Sequence, residues 1–353
     1  MRGRLRTGNT CTYHDLLSQV RDRQAFDPRD YIYGTLSLAD DAVRAAITVN
    51  YADESVPALA KLYVDACRPT IQTGEGLRFV SLAAKQLNRL PGVPTWCPDP
   101  RYDGPLLQAF RKSENTNQRI SHQAGLPQHR ASGAYSLLRL ASDGLSLLVS
   151  GIELDIVQSV VQTQLCGSQS LESLTSVQAL QNWLCALEWL NLAKTAVSSA
   201  GSSEAPPEYL QVLFDITPAE QKEPGQHWNH CYNLMIDDLR ILAGQNSELP
   251  PRQGYETGMG RVCWKLWWTN CHDWNFFTTR CGRMGMGHPS MQAGDSIVDP
   301  YGRQRLLILR ADPTVVENQK CQLVGDAWLT VPTGLLQTGQ NALQPRYEIF
   351  AIM

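Results

Sequence analysis

Ser55 stands immediately before an apolar rhythm of Val56, Leu59, Ala60, Tyr63 and Ala66 that recurs at three- and four-residue steps. That spacing puts the apolar side chains on one face of a helix, and a serine at its start can accept a hydrogen bond from the first unpaired N–H groups. Pro57 falls in the first turn, where a missing N–H costs little. The pattern predicts a helix there and a second between Arg68 and Leu90, ended by Pro91-Gly92. An earlier helical segment, about Tyr13 to Arg23, is broken at Asp27-Pro28, because proline disfavours helical geometry in the residue before it. Asp30 can open the next helix.

From Pro91 to about Arg130 proline, glycine, asparagine and glutamine dominate, which reads as a long surface connection. Ser136 to Val161 alternates as strands do, with Ser142-Asp-Gly144 as the turn of a hairpin. Between Leu174 and Ala196 the residues Val177, Leu180, Trp183, Leu184, Leu187 and Leu190 form one wide helical face. Ser198 to Pro207 has linker composition, and the stretch after it to Leu242 is helical in pattern. From Val262 the chain changes to short strands with glycine turns, including Arg305-Leu-Leu-Ile-Leu309 and Gln322 to Trp328. The expected class is α+β, a helical body with a C-terminal antiparallel sheet or partial barrel. Residues 1–198 form a mainly helical region with a hairpin near 136–161, residues 208–353 a helix followed by a β-rich region, and the two make one compact unit.

A chain of 353 residues, 43% of them hydrophobic, can bury a sizeable core. A formal charge of -3 without a lysine- or arginine-rich run offers no footprint for a polyanion, so nucleic acid is not an expected partner. No stretch approaches the roughly 20 apolar residues of a membrane helix, and Met1-Arg-Gly-Arg-Leu-Arg6 lacks the apolar core of a signal peptide. The expected location is cytoplasmic. The ten cysteines are widely scattered, and most should be free thiols packed as small apolar groups.

The densest candidate chemistry lies between Cys263 and Phe277, where Trp264, Trp267, Trp268 and Trp274 fall within eleven residues. These rings could wall a pocket for a hydrophobic ligand, or serve as core and strand-pairing residues. His272 and His288 lie in or beside this region, with Asp273 and Asp295 nearby in sequence, and a histidine there could polarise a carbonyl or move a proton. A histidine satisfied by a backbone hydrogen bond is the plainer alternative. His227-Trp-Asn-His230 lacks a partner Cys-x-x-Cys, so no metal site is expected. Gly282-x-x-Gly285-x-Gly287 lacks the strand-turn-helix context of a dinucleotide fingerprint and reads as a turn. Without a phosphate loop, a nucleophile elbow or a His-Glu-x-x-His motif, the expected chemistry uses no cofactor.

Four stretches also carry a family resemblance. Arg23-Gln-Ala-Phe-Asp-Pro-Arg-Asp-Tyr-Ile-Tyr-Gly-Thr-Leu-Ser-Leu-Ala39 is similar to "R-x-A-T-D-P-R-D-K-V-Y-A-L-L-G-L-A". Tyr51 through Tyr63 and Cys67, leading to Pro94-Thr-Trp-Cys-Pro-Asp99, resembles "P-D-Y-S-x-S-V-E-E-V-Y" and "L-P-S-W-V-P-D-W", although Pro100 replaces the final tryptophan. Arg130-Ala-Ser-Gly133 with Ser142-Asp-Gly-Leu-Ser-Leu-Leu-Val-Ser-Gly151 is similar to "F-x-A-S-G…S-x-D-G-x-x-L-x-V-x-G". Phe277 to Gly287, Gly294-Asp295, Leu309-Arg310 and Leu323 to Trp328 resemble "F-x-T-x-x-G-x-x-G-L-G-P…G-D-x-V…L-R…Y-x-L-V-G". Together these resemble the region that follows the core domain in fungal heterokaryon incompatibility (HET) proteins. The core's own "Y-x-A-L-S-Y-x-W-G" and "W-I-D-A-I-C-I-N-Q" elements do not occur, and His288 takes the place of a residue that is not ionisable in the family pattern.

HET-like proteins also occur beside fungal secondary-metabolism genes. The resemblance therefore implies a scaffold without the HET core, acting on a hydrophobic small molecule as a cofactor-independent enzyme, with an intramolecular cycloaddition in terpenoid biosynthesis as the specific expectation. The catalytic candidates are then His272 and His288, and the substrate-binding candidates Trp264, Trp267, Trp268 and Trp274. The alternative is a non-enzymatic self/non-self recognition protein acting through a protein partner.

Overall fold

The computed structural model describes residues 16–17, 25–72, 80, 83, 89–101, 138–161, 275–301, 306–312, 320–329 and 348–353. Most of the Tyr13–Arg23 segment, the greater part of the 91–130 connection, the Leu174–Ala196 helix, the linker and the helical stretch to Leu242 lie outside these residues.

Helix α1 spans Asp30–Tyr33, a 3-10 turn follows at Leu36–Leu38, and α2 spans Asp41–Ala46. The Asp40 carboxylate caps α2 by accepting from the Val43 N–H at 2.9 Å. Helix α3 runs Val56–Gln72, with the Ser55 hydroxyl accepting from the Ala58 N–H at 3.4 Å. Its buried face carries Ala60, Tyr63, Val64, Cys67 and Ile71. Most of the second helix expected between Arg68 and Leu90 lies outside the described residues, but α3 itself extends into its start. One helix continues through Pro69, and burial of Cys67, Thr70 and Ile71 offsets the hydrogen bond that proline cannot donate.

Among the described residues eight strands form one sheet: β1 Leu138–Leu140, β2 Leu147–Val161, β3 Asn275–Thr279, β4 Met284–Gly287, β5 Ser296–Pro300, β6 Leu306–Ala311, β7 Lys320–Leu329 and β8 Glu348–Ile352. Every pairing is antiparallel except a two-residue contact between β7 and β8. Strand β2 turns back on β1 through Ser142–Ser146, where the Asp143 carboxylate accepts from the Leu145 and Ser146 N–H groups and Gly144 takes φ +68. The same long strand pairs β5 over Gly151–Ile156 and β3 over Val157–Val161. The pairings β2–β3–β4–β7–β6–β5–β2 therefore close on themselves as a six-stranded barrel.

Alternation sorts the side chains onto two faces. Ile297, Leu306 and Ile308 join Val157, Phe277 and Met291 inside the barrel, whereas Val298, Leu307 and Leu309 join the core shared with α2 and α3. Strand β7 changes face midway. Leu309 pairs Leu323 while Ile308 pairs Gly325, so Val324 is a bulge. Cys321 and Leu323 thus face the helices, and Ala327 and Leu329, also odd-numbered, face the lumen.

The helical layer is bolted to the sheet by two consecutive residues. Thr95 donates its backbone N–H to Met353 O at 2.8 Å, its hydroxyl also donates to Met353 O, and the same hydroxyl accepts from Leu323 N–H at 2.9 Å. Trp96, fully buried, donates Nε1–H to Leu145 O at 2.6 Å.

Candidate functional site

Within the barrel, directly paired residues on neighbouring strands share a face. Asp155 pairs Ile297, Ile297 pairs Ile308, and Ile308 pairs Gly325, so these four line one lateral row of the lumen wall. The row is apolar in the middle and polar at its two ends.

At one end is Asp155, 7% exposed. A bulge at Leu154 puts it on the inner face: Glu153 pairs Val298 on the helix side, but Asp155 pairs Ile297 on the lumen side. Consistent with that placement, burial and then the Glu153 carboxylate push the Cys321 thiol on the outer side up to about 11. Asp155 Oδ1 accepts from the Ile156 N–H at 2.8 Å, and Oδ2 is buried without a hydrogen bond among the described residues.

At the other end is His288, 6% exposed. Its ring lies against Gly325, where a side chain would collide with it. The Ser290 N–H donates to Nδ1 at 3.1 Å. Since Nδ1 is an acceptor, the proton of the neutral ring sits on Nε2, which is also buried. His288 thus satisfies a backbone group through Nδ1 and carries its proton on the buried Nε2.

The loop after His288 closes this end of the barrel. Met291 enters the lumen, its N–H donating to His288 O at 2.9 Å. Arg310 pins the loop by binding Asp295 through both carboxylate oxygens, at 2.8 and 2.9 Å, and by donating to Ser290 O at 2.8 Å. The Asp295 hydrogen bonds hold the Arg310 guanidinium above its ordinary pKa. Asn275 donates to Pro289 O at 2.8 Å from the opposite side. Gly294, at φ +95, turns the chain back into β5.

Of the sequence-predicted site residues, only His288 is described. His272, Trp264, Trp267, Trp268 and Trp274 lie outside the described residues. Asp295 is engaged with Arg310 rather than with a histidine. Asp155 was missed because, one residue apart from an exposed Glu153 across Leu154, it reads as the second polar position of an ordinary half-exposed strand; the bulge that buries it leaves no mark in composition. Among the described residues no group of three or more His, Cys, Asp or Glu side chains is placed to hold a metal ion, and no helix is long and apolar enough to cross a membrane. No family model, curated protein or solved structure matches this chain.

Proposed function

We propose that this chain is a HET-like scaffold that works in the cytoplasm as a cofactor-independent enzyme on a hydrophobic small molecule, bound beside the His288 end of the barrel. The observation that supports this reading is a pair of buried polar side chains, His288 and Asp155, on an otherwise apolar barrel interior.

An intramolecular cycloaddition suits such a site. Holding diene and dienophile in a reactive pose can remove up to about 7–11 kcal/mol of barrier, with no nucleophile required. A histidine, His288 or His272, would supply the hydrogen-bond donor to a dienophile carbonyl, where a single well-aimed donor is worth roughly 10²–10³ in rate. Trp264, Trp267, Trp268 and Trp274 would shape the apolar wall.

Incubating the purified protein with metabolite extract from the producing organism lacking this gene tests the reading. The expected result is conversion of an accumulated metabolite to an isomer of unchanged mass, slowed roughly a hundredfold by His288→Phe. Unchanged metabolite profiles would overturn it. They would favour the alternative, a recognition protein binding a protein partner, for which the fully exposed Phe26 and the exposed Val49 and Val56 offer apolar surface.

A further inference from the structure

Two thiols face each other outside the barrel, between α3 and the segment that bolts it to the sheet. Cys67 lies on the buried face of α3, one turn after Tyr63, and Cys97 follows Trp96; both are buried. Their sulfurs are 3.8 Å apart. Cys97 Sγ is also 3.7 Å from the Pro98 carbonyl oxygen. A carbonyl only accepts, so Cys97 donates to it, and the Cys97 sulfur in turn receives the Cys67 S–H.

Arg89 stands beside the pair. Its guanidinium donates to the carbonyls of Ala83 at 3.0 Å, Pro94 at 2.6 Å and Cys97. Its charge favours the thiolate of Cys67, but burial outweighs it and holds that thiol well above its ordinary pKa. Packing alone would ask for one small apolar group at each position. It does not ask for two sulfurs in contact beside a cation.

We propose that Cys67 and Cys97 are a reversible disulfide site, oxidised by a peroxide and reduced by a small thiol, that cross-links α3 to the Pro94–Asp99 segment. A disulfide needs its sulfurs about 2.0 Å apart, so they must close by roughly 1.8 Å from 3.8 Å. Cys97 attacks one peroxide oxygen as its proton is released. The O–O bond breaks, and the departing hydroxide takes up the thiol's proton as water. Cys67 then attacks the sulfenic sulfur, the S–O bond breaks, and the second hydroxide leaves as water with the Cys67 proton. Two thiols and one peroxide become one disulfide and two waters. Burial makes the reaction slow and selective for small oxidants.

The test uses the full chain, reduced, exposed to a small excess of hydrogen peroxide, quenched with iodoacetamide under denaturing conditions and mapped by peptide mass without reductant. The expected product is a peptide linking Cys67 to Cys97, lighter by two hydrogens than its parts and lost on adding dithiothreitol. The oxidised protein should also unfold about 2–4 °C higher than the reduced one. Exposed Cys281 serves as the internal control for oxidant delivery. Oxidation of Cys281 with both Cys67 and Cys97 recovered alkylated would overturn the proposal, as would either thiol linked to a different cysteine. A Cys281→Ser chain repeats the mapping without the exposed competitor and leaves the buried pair untouched.

Discussion

Replacing Gly325 by alanine tests whether His288 lies on the lumen wall as described. A Cβ at Gly325 would sit 2.3 Å from His288 Cβ, 2.7 Å from Cγ and 3.0 Å from Cδ2. Carbon atoms rest at about 3.5–4.0 Å, so more than an ångström must be found. The nearest atom is a Cβ fixed to the backbone, not the end of a flexible side chain, so the His288–Met291 loop itself must move. Overpacking a well-filled core costs about 1–3 kcal/mol, and this contact belongs at the upper end of that range. Gly287→Ala is the comparison: its new carbon meets Ile308 Cδ1 at 2.7 Å and Met291 Sδ at 2.8 Å, both on side chains that can swing. In a His288→Gly background the clash at Gly325 disappears, because the offending Cβ is gone. Urea unfolding of the four chains of this double-mutant cycle should give a coupling of about 2 kcal/mol between the two positions. Equal losses from Gly325→Ala in both backgrounds, or none in either, would refute the placement of His288.

Two further outcomes follow from charged groups. Arg310→Met leaves the buried Asp295 carboxylate without its guanidinium and Ser290 O without a donor, and should lower unfolding stability by about 3 kcal/mol, the low end for a buried pair because Arg310 is one-third exposed; a loss below about 1 kcal/mol in urea unfolding would contradict the latch. Asp143 is held below its ordinary 3.8 by the Ser146 hydroxyl and by backbone N–H groups. A carboxylate with a depressed folded pKa contributes stability that is complete above its unfolded value and lost as pH falls through the folded one. Thermal midpoints should therefore fall more steeply below about pH 4 in the parent chain than in Asp143→Asn; parallel curves would remove Asp143 from that account.

Legibility in the sequence followed the range of the interactions. Helix α3 was readable because Ser55 and the apolar rhythm are local, and the hairpin turn because Asp143 and Gly144 satisfy it from within four residues. Barrel closure was not readable. It depends on β2 changing partners from β5 to β3 at Val157 and on the bulges at Leu154 and Val324, which reverse the meaning of odd and even positions without altering composition. Strand β8 went unnoticed because its five residues have only three apolar side chains beside Glu348 and Ala351.

The positions that carry the family resemblance are largely joints. Asp27 grips Arg29, which donates to the Tyr51 and Asp53 carbonyls; Asp99 accepts from Leu90 N–H and Arg101; a Cβ at Gly151 would lie 2.9 Å from Asp299 O; and Arg310 latches Asp295. Such residues report how a chain is held together. They are silent about function, and Asp155 lies between them, outside every one of those stretches.

The Thr95 hydroxyl spans sequence separations of 228 residues to Leu323 and 258 to Met353. Closing loops of that size precedes any reward from the contacts they bring, which places this joint late in folding. During synthesis α2 and α3 are complete while Phe350 and Ile352, part of the core that covers them, are not yet made. Until those residues arrive, the core they share with α2 and α3 lacks two of its buried members. A nascent chain stalled before Glu348 would lack part of the cover of α2 and α3, the kind of incomplete core that draws chaperones and proteases.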